Sequence, residues 1–132
     1  MVCTYCGGET RVSNSRHQIK SNRVWRRRQC LDCQAVFSTE EAVNYERAWV
    51  VHNAKALKPF SRDKLFLSLH NSCQHRKTAL RDAQGLTDTI IKKLPAYIEA
   101  GTLTNTAISR VALVALNRFD AVASAHYQAV HA

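Results

Sequence analysis

No carboxylate interrupts the chain between Thr10 and Leu31, although lysine or arginine occurs seven times in the first 40 residues. So one-sided a stretch favours a polyanionic partner. Glycine and proline are also scarce, with four and two in 132 residues, and 45% of the residues are apolar, which indicates a folded, soluble chain. No apolar run approaches the roughly 18–20 residues that a bilayer-crossing helix needs, so no membrane partner is expected. The Gly-x-x-x-x-Gly-Lys-Ser/Thr phosphate loop is missing, which removes a P-loop nucleotide site from consideration. Nothing before Cys3 resembles a secretory leader, so reduced thiols are expected. There is no internal repeat.

The charge that is present is uneven. Nineteen Lys and Arg against ten Asp and Glu give a formal charge of +9. Residues 1–40 and 41–77 each hold seven basic and three acidic residues, whereas 78–132 holds five and four.

Cys3-Thr4-Tyr5-Cys6 and Cys30-Leu31-Asp32-Cys33 are two Cys-x-x-Cys knuckles separated by 23 residues. A two-residue spacer lets both sulfurs of a tight turn face one ion, so Cys3, Cys6, Cys30 and Cys33 suit a single tetrahedral zinc. The competing readings are a rubredoxin-type iron site and disulfides, the latter disfavoured where thiols stay reduced. Four sulfur ligands leave no open position, so the metal is expected to be structural. A unit of about 40 residues buries little core, and the metal then supplies much of its folding energy. Gly7-Gly8 supplies a turn after the first knuckle, Thr10–Arg16 and Arg23–Gln29 read as two strands of a hairpin, and Phe37 is placed to cover the metal.

Trp25-Arg26-Arg27-Arg28-Gln29 leads into the second knuckle, accompanied by Arg11, Arg16, Lys20 and Arg23. Arginine forks recognise phosphates and guanine edges, and a neighbouring aromatic can stack on a base. Nucleic-acid contact is therefore preferred to a merely solvated face.

The composition loosens from Glu40 to Asn44, which sets a domain boundary there: 1–44, then 45–132. Arg47–His52 is a strand candidate, followed by a turn and Leu57-Lys58-Pro59-Phe60. Ser61 is a helix cap with Leu65, Phe66 and Leu69 on one face, and Cys73 closes that helix as a small buried hydrophobe. Leu86, Ile90, Ile91 and Leu94 mark a second helix, interrupted by Pro95 and ended by Gly101. A third starts near Thr104 or Asn105 and carries Ile108, Val111, Ala112, Ala115, Leu116 and Phe119; residues 120–132 form a short fourth. The fold class is α+β: a small β zinc ribbon, then a mainly helical domain with two strands at its start. His70 and His75 flank Cys73, but the spacing offers no orienting acid or further ligand, so no catalytic residue is assigned and no enzyme is expected. His52, Lys55, Lys58, Arg62, Lys64 and Arg76 gather positive charge that could hold a triphosphate or form a solvated face.

The order of motifs resembles a known family. Cys3-x-x-Cys6, Thr10-Arg11-Val12-x-Asn14-Ser15-Arg16, Arg26-Arg27-Arg28-Gln29-Cys30-x-x-Cys33 and Phe37-Ser38-Thr39-x-Glu41 are similar to the zinc ribbon of the NrdR-type repressors of ribonucleotide reductase genes. Val50-Val51, Lys58-Pro59-Phe60, Lys64-Leu65, Arg76, Asp120-x-Val122-Ala123 and Tyr127 resemble the ATP-cone that follows the ribbon in that family. The resemblance implies a bacterial, cytoplasmic and nucleoid-associated repressor that binds double-stranded operator DNA. It also implies ATP or dATP as regulatory ligands that choose between homo-oligomers. Carried over by position, Arg16, Arg26, Arg27 and Arg28 would face DNA, and Val51, His52, Lys64 and Arg76 would lie at the nucleotide site. The family usually has Lys where this chain has His52, an Asp-Gly turn near Asn53-Ala54, Arg-Phe at His126-Tyr127 and Asp at Asn14. Losing one charge-assisted phosphate contact costs about 1.5–3 kcal/mol. The alternative is an RNA-binding or protein-docking ribbon whose cone-like domain no longer senses nucleotide.

Overall fold

The computed structural model describes residues 1–131, which fall into two compact units, one spanning Met1–Val43 and one beginning at Asn44. Gly7, at φ +76°, takes the left-handed conformation that lets the first knuckle turn back on itself. Gly8 answers a different need: a Cβ there would strike the Asp32 carboxylate of the second knuckle, so the two turns pack backbone against side chain.

The chain then forms β1 (Thr10–Gln18), β2 (Arg23–Cys30) and β3 (Val36–Ala42), an antiparallel sheet in the order β1-β2-β3. Asn22, at φ 51°, closes the β1–β2 turn. A third strand was not anticipated from Ser38-Thr39-Glu40-Glu41, which lacks strand-like apolar alternation. It is a strand because β2 otherwise has an unpaired edge, and pairing on both sides satisfies its backbone groups. Only Cys3 and Cys30 are buried in this unit.

The second unit opens with a one-turn helix, α1 (Tyr45–Ala48), where the sequence suggested a strand from Arg47; Asn44 caps it by accepting the Arg47 N–H. The strand begins later, as β4 (Val50–His52), and pairs antiparallel with β5 (Leu57–Pro59). Between them Asn53 accepts the N–H groups of Lys55 and Ala56 at 3.0 and 2.9 Å, forming an Asx turn without glycine. On its other side β4 pairs in parallel with β6 (Thr102–Thr104), so three strands replace the two anticipated.

Four longer helices pack on one core: α2 (Arg62–Ser72), α3 (Ala79–Lys93), α4 (Asn105–Phe119) and α5 (Ala121–His131). Ser61 caps α2, accepting the Lys64 N–H at 3.2 Å, and Thr104 caps α4, accepting the Ala107 N–H at 3.1 Å. Pro95 lies in a 3-10 turn, Leu94–Tyr97, directly after α3, where its missing N–H costs nothing in the helix interior. Phe60, Leu69, Ile90, Leu94, Leu103 and Leu116 are all but inaccessible and form the core, joined by Tyr127. Cys73 is wholly buried among them, and burial pushes its thiol up, so it packs as a small hydrophobe. Phe119 departs from its stripe: it is exposed, with the Arg76 guanidinium 4.6 Å above its ring.

Candidate functional site: metal centre, basic sheet and cleft

The two knuckles bring the sulfurs of Cys3, Cys6, Cys30 and Cys33 within 4.8 Å of one another. Cys3 to Cys33 is 3.7 Å and Cys6 to Cys30 is 3.5 Å. A tetrahedron with Zn–S bonds of about 2.3 Å has S–S edges of about 3.8 Å, so this donor set fits zinc. All four are free thiols and none is within disulfide bonding distance of another. Backbone N–H groups already point at the sulfurs: Tyr5 to Cys3 at 3.3 Å, Gly8 to Cys6 at 3.4 Å, and Asp32 and Cys33 to Cys30 at 3.4 Å each. Such donors favour thiolate. The Tyr5 N–H chiefly, with further donors, lowers Cys3 to about 7. The Gly8 N–H also lowers Cys6, but the crowding thiols of Cys30 and Cys33 outweigh it and push Cys6 up to about 12. Four thiolates this close together repel one another and need a cation between them. With every sulfur used, such a metal is structural.

Strand periodicity divides the arginines. Cross-strand partners share a face, so Arg16, opposite Trp25, and Arg27, opposite Asn14, lie with Arg11 and Arg23 on one side of the sheet. Arg26 and Arg28 lie on the other, with Val24, Phe37, Thr39 and Glu41. Side-chain contacts agree with this division. On the first face Arg11 donates to Gln29 at 3.0 Å and Arg23 is 3.6 Å from Glu40. On the second Arg26 is 3.9 Å from Glu41, and Arg28 donates to Thr10 at 3.4 Å while its Nε is buried without a partner. Arg16 and Arg27 are exposed, and neither forms an ion pair among the described residues. Phe37 is half-buried opposite Arg28.

In the helical unit a cleft of about 430 Å³ is lined by Val51, Lys58, Ser61, Lys64, Asn105 and Tyr127, among others. Two of the four residues assigned to a nucleotide site, Val51 and Lys64, are therefore brought together there. His52 is not, because alternation along β4 turns it to the face opposite Val51. Arg76 is not either. It donates to Asp82 at 2.8 Å and to Asp120 at 2.9 Å, and Asp120 also accepts from His75 at 3.1 Å and from the Ala123 N–H at 2.9 Å. Arg76 therefore fastens the start of α3 to the α4–α5 junction.

No carboxylate among the described residues lines the cleft, and the N-terminal ends of α2 at Ser61 and of α4 at Asn105 both open into it. Each helix end carries a partial positive charge and unpaired N–H groups. Asn105 was not anticipated as a lining residue; its only sequence signal was its place beside the cap Thr104. His131 stacks on Tyr127 at 4.1 Å, and partial burial, then the neighbouring His126, lower its imidazole below the ordinary histidine value.

A family model described as "Transcriptional repressor NrdR-like, N-terminal domain" matches residues 1–41. The chain is 32% identical over 131 residues to a protein of Symbiobacterium thermophilum named "Transcriptional repressor NrdR", covering 99% of this chain and 87% of that one. Proteins of the same name from Methylorubrum extorquens and Bdellovibrio bacteriovorus are 32% and 29% identical, each over 99% of this chain and over 71% and 67% of their own length. No helix among the described residues is long and apolar enough to cross a membrane. The paired knuckles match by motif and the helical unit by overall identity, and with both units aligned at once the chain belongs to the NrdR family of transcriptional repressors.

Proposed function

We propose that this chain is a zinc-dependent repressor that binds duplex operator DNA through its sheet and takes ATP or dATP in the cleft of its helical unit. Ribonucleotide reductase genes are its proposed target, and a homo-oligomer its proposed working form. The observation that carries the reading is the cleft: two lysines and two helix N-termini converge on a space with no carboxylate among the described residues, which suits a polyphosphate. Val51, Ser61, Lys58, Lys64 and Asn105 make up this site in our reading. Asn53 supports the reading too, since its Asx turn supplies the tight β4–β5 connection without an Asp-Gly pair.

The test is duplex binding by the zinc-loaded protein at fixed salt, on the region upstream of the reductase genes, titrated with ATP and then dATP. Selective binding that changes between the nucleotides is expected, with log affinity falling linearly as log salt rises. Lys64→Ala is expected to weaken nucleotide binding roughly 10- to 100-fold, the scale of one charge-assisted contact. DNA binding indifferent to both nucleotides would remove the sensing half of the reading. A preference for RNA, or no selective duplex binding with zinc in place, would replace the whole with an RNA-binding or protein-docking ribbon.

A further inference from the structure

We infer that only one face of the ribbon sheet meets DNA: the face bearing Arg11, Arg16, Trp25 and Arg27, with Arg26 and Arg28 holding the sheet together from behind. The inference rests on the proposed duplex binding and specifies its surface.

The register makes the two faces chemically different. Arg16 and Trp25 are direct partners across β1 and β2, and Arg27 lies two positions along β2 on the same side, so two exposed guanidinium forks flank one half-buried indole. A shallow depression of about 330 Å³ is bounded by Arg16, His17, Gln18 and Trp25. Gln29 and Asn14 add amide groups to this face, and its one carboxylate, Glu40, is drawn toward Arg23. The opposite face carries the metal ligand Cys30, half-buried Phe37 and Val24, and an Arg28 whose Nε is already enclosed. With its Nε enclosed and one terminal nitrogen turned to Thr10, Arg28 has less of its guanidinium to offer a phosphate or a base than the exposed Arg16 and Arg27.

Strand spacing of about 4.8 Å makes three strands roughly 10 Å across, close to the approximately 12 Å width of the major groove. A sheet can therefore be presented face-on, with arginine forks to guanine edges or phosphates and an aromatic against a thymine methyl. The tyrosine and leucine of the knuckles are not needed for this contact.

Two adjacent positions test the assignment without touching any arginine. Asn14 lies opposite Arg27 on the proposed face and Ser15 lies opposite Arg26 on the other, and both are exposed. In the full zinc-loaded chain, Asn14→Glu is expected to lower duplex affinity about tenfold or more, by placing a carboxylate against phosphate, while Ser15→Glu stays within about threefold. Arg27→Ala should lose roughly 5- to 150-fold or flatten the salt slope by about one, and Arg26→Ala should do neither. Cobalt substituted for zinc, read by its thiolate absorption, confirms that each variant retains its metal site. In a Trp49→Phe background, duplex addition should also shift Trp25 emission. Equal losses from Asn14→Glu and Ser15→Glu, or Trp25 emission unmoved by bound DNA, would overturn the assignment. An unsubstituted protein that binds no duplex would overturn both the assignment and the reading on which it rests.

Discussion

Stripping the metal with a chelator is expected to unfold the unit spanning Met1–Val43, abolish DNA binding and leave the unit that begins at Asn44 folded. The reason is the shortage of anything else to hold the sheet. Its only buried residues are two of the four cysteines, and the strand faces are mostly polar, with Val24, Trp25 and Phe37 no more than half-buried. Structural zinc contributes an apparent 10–16 kcal/mol or so in small thiolate domains, as much as the whole stability of an ordinary fold. A two-dimensional amide NMR spectrum should show the resonances of residues 1–43 collapse, with those of the helical unit unmoved, and recovery on returning zinc. Cys30→Ser should behave likewise without recovery. A dispersed spectrum for the β1–β3 sheet after chelation would show that hydrogen bonds and surface pairs suffice, and the metal would be an accessory.

The helical unit should instead fail in acid, through Asp120. The Ala123 N–H above all, then His75 and Arg76, hold its carboxyl well below the usual carboxylate range; Asp82 is lowered first by the Thr78 hydroxyl and then by Arg76. A carboxyl depressed in the folded state stabilises that state at every pH above its unfolded value, about 3.9, and the contribution is lost as pH falls toward the folded value. The thermal midpoint, read through Trp49 in a Trp25→Phe background, should therefore drop below about pH 4. Arg76→Ala should lower the midpoint at neutral pH, because Asp82 and Asp120 lose their shared guanidinium and Phe119 its covering cation. The same substitution should also flatten the acid limb, since both carboxyls move back toward ordinary values. A variant that keeps the full acid dependence would show that Arg76 does not set these ionisations.

These two predictions draw on residues that the sequence announced to very different degrees. The knuckles were legible because metal ligation imposes a spacing that survives in one dimension, and Ser61 and Thr104 were legible because a cap acts on residues three positions away. The hydrophobic stripes of α3 and α4 likewise repeat within a turn or two. Arg76 was legible only as a cation. Its partners are Asp82 on α3 and the distant Asp120 at the α4–α5 junction, and nothing local distinguishes a guanidinium held by two carboxylates from one awaiting a phosphate. The strands β3 and β6 escaped for a related reason, since each exists through the strand beside it and neither carries the apolar alternation of a half-buried ribbon. The division of the arginine run was implicit in its length, because a strand must alternate, but nothing in the sequence announced the register shift between Val12 and Asn14 that puts Arg11 on the same face as Arg16.

The parallel pairing of β4 with β6 also orders events during synthesis. Val50 waits for Thr102, about fifty positions downstream, and the cap Thr104 that ends β6 also starts α4. The ribbon sheet needs nothing beyond Ala42. A chain leaving the ribosome can therefore load its metal and close its sheet while β4 still lacks its parallel neighbour β6, and the cleft cannot form until α4 has emerged. On the function proposed above, a stalled or truncated product would then be a basic, metal-loaded ribbon with no working cleft, able to meet nucleic acid but without the means to be governed by a nucleotide.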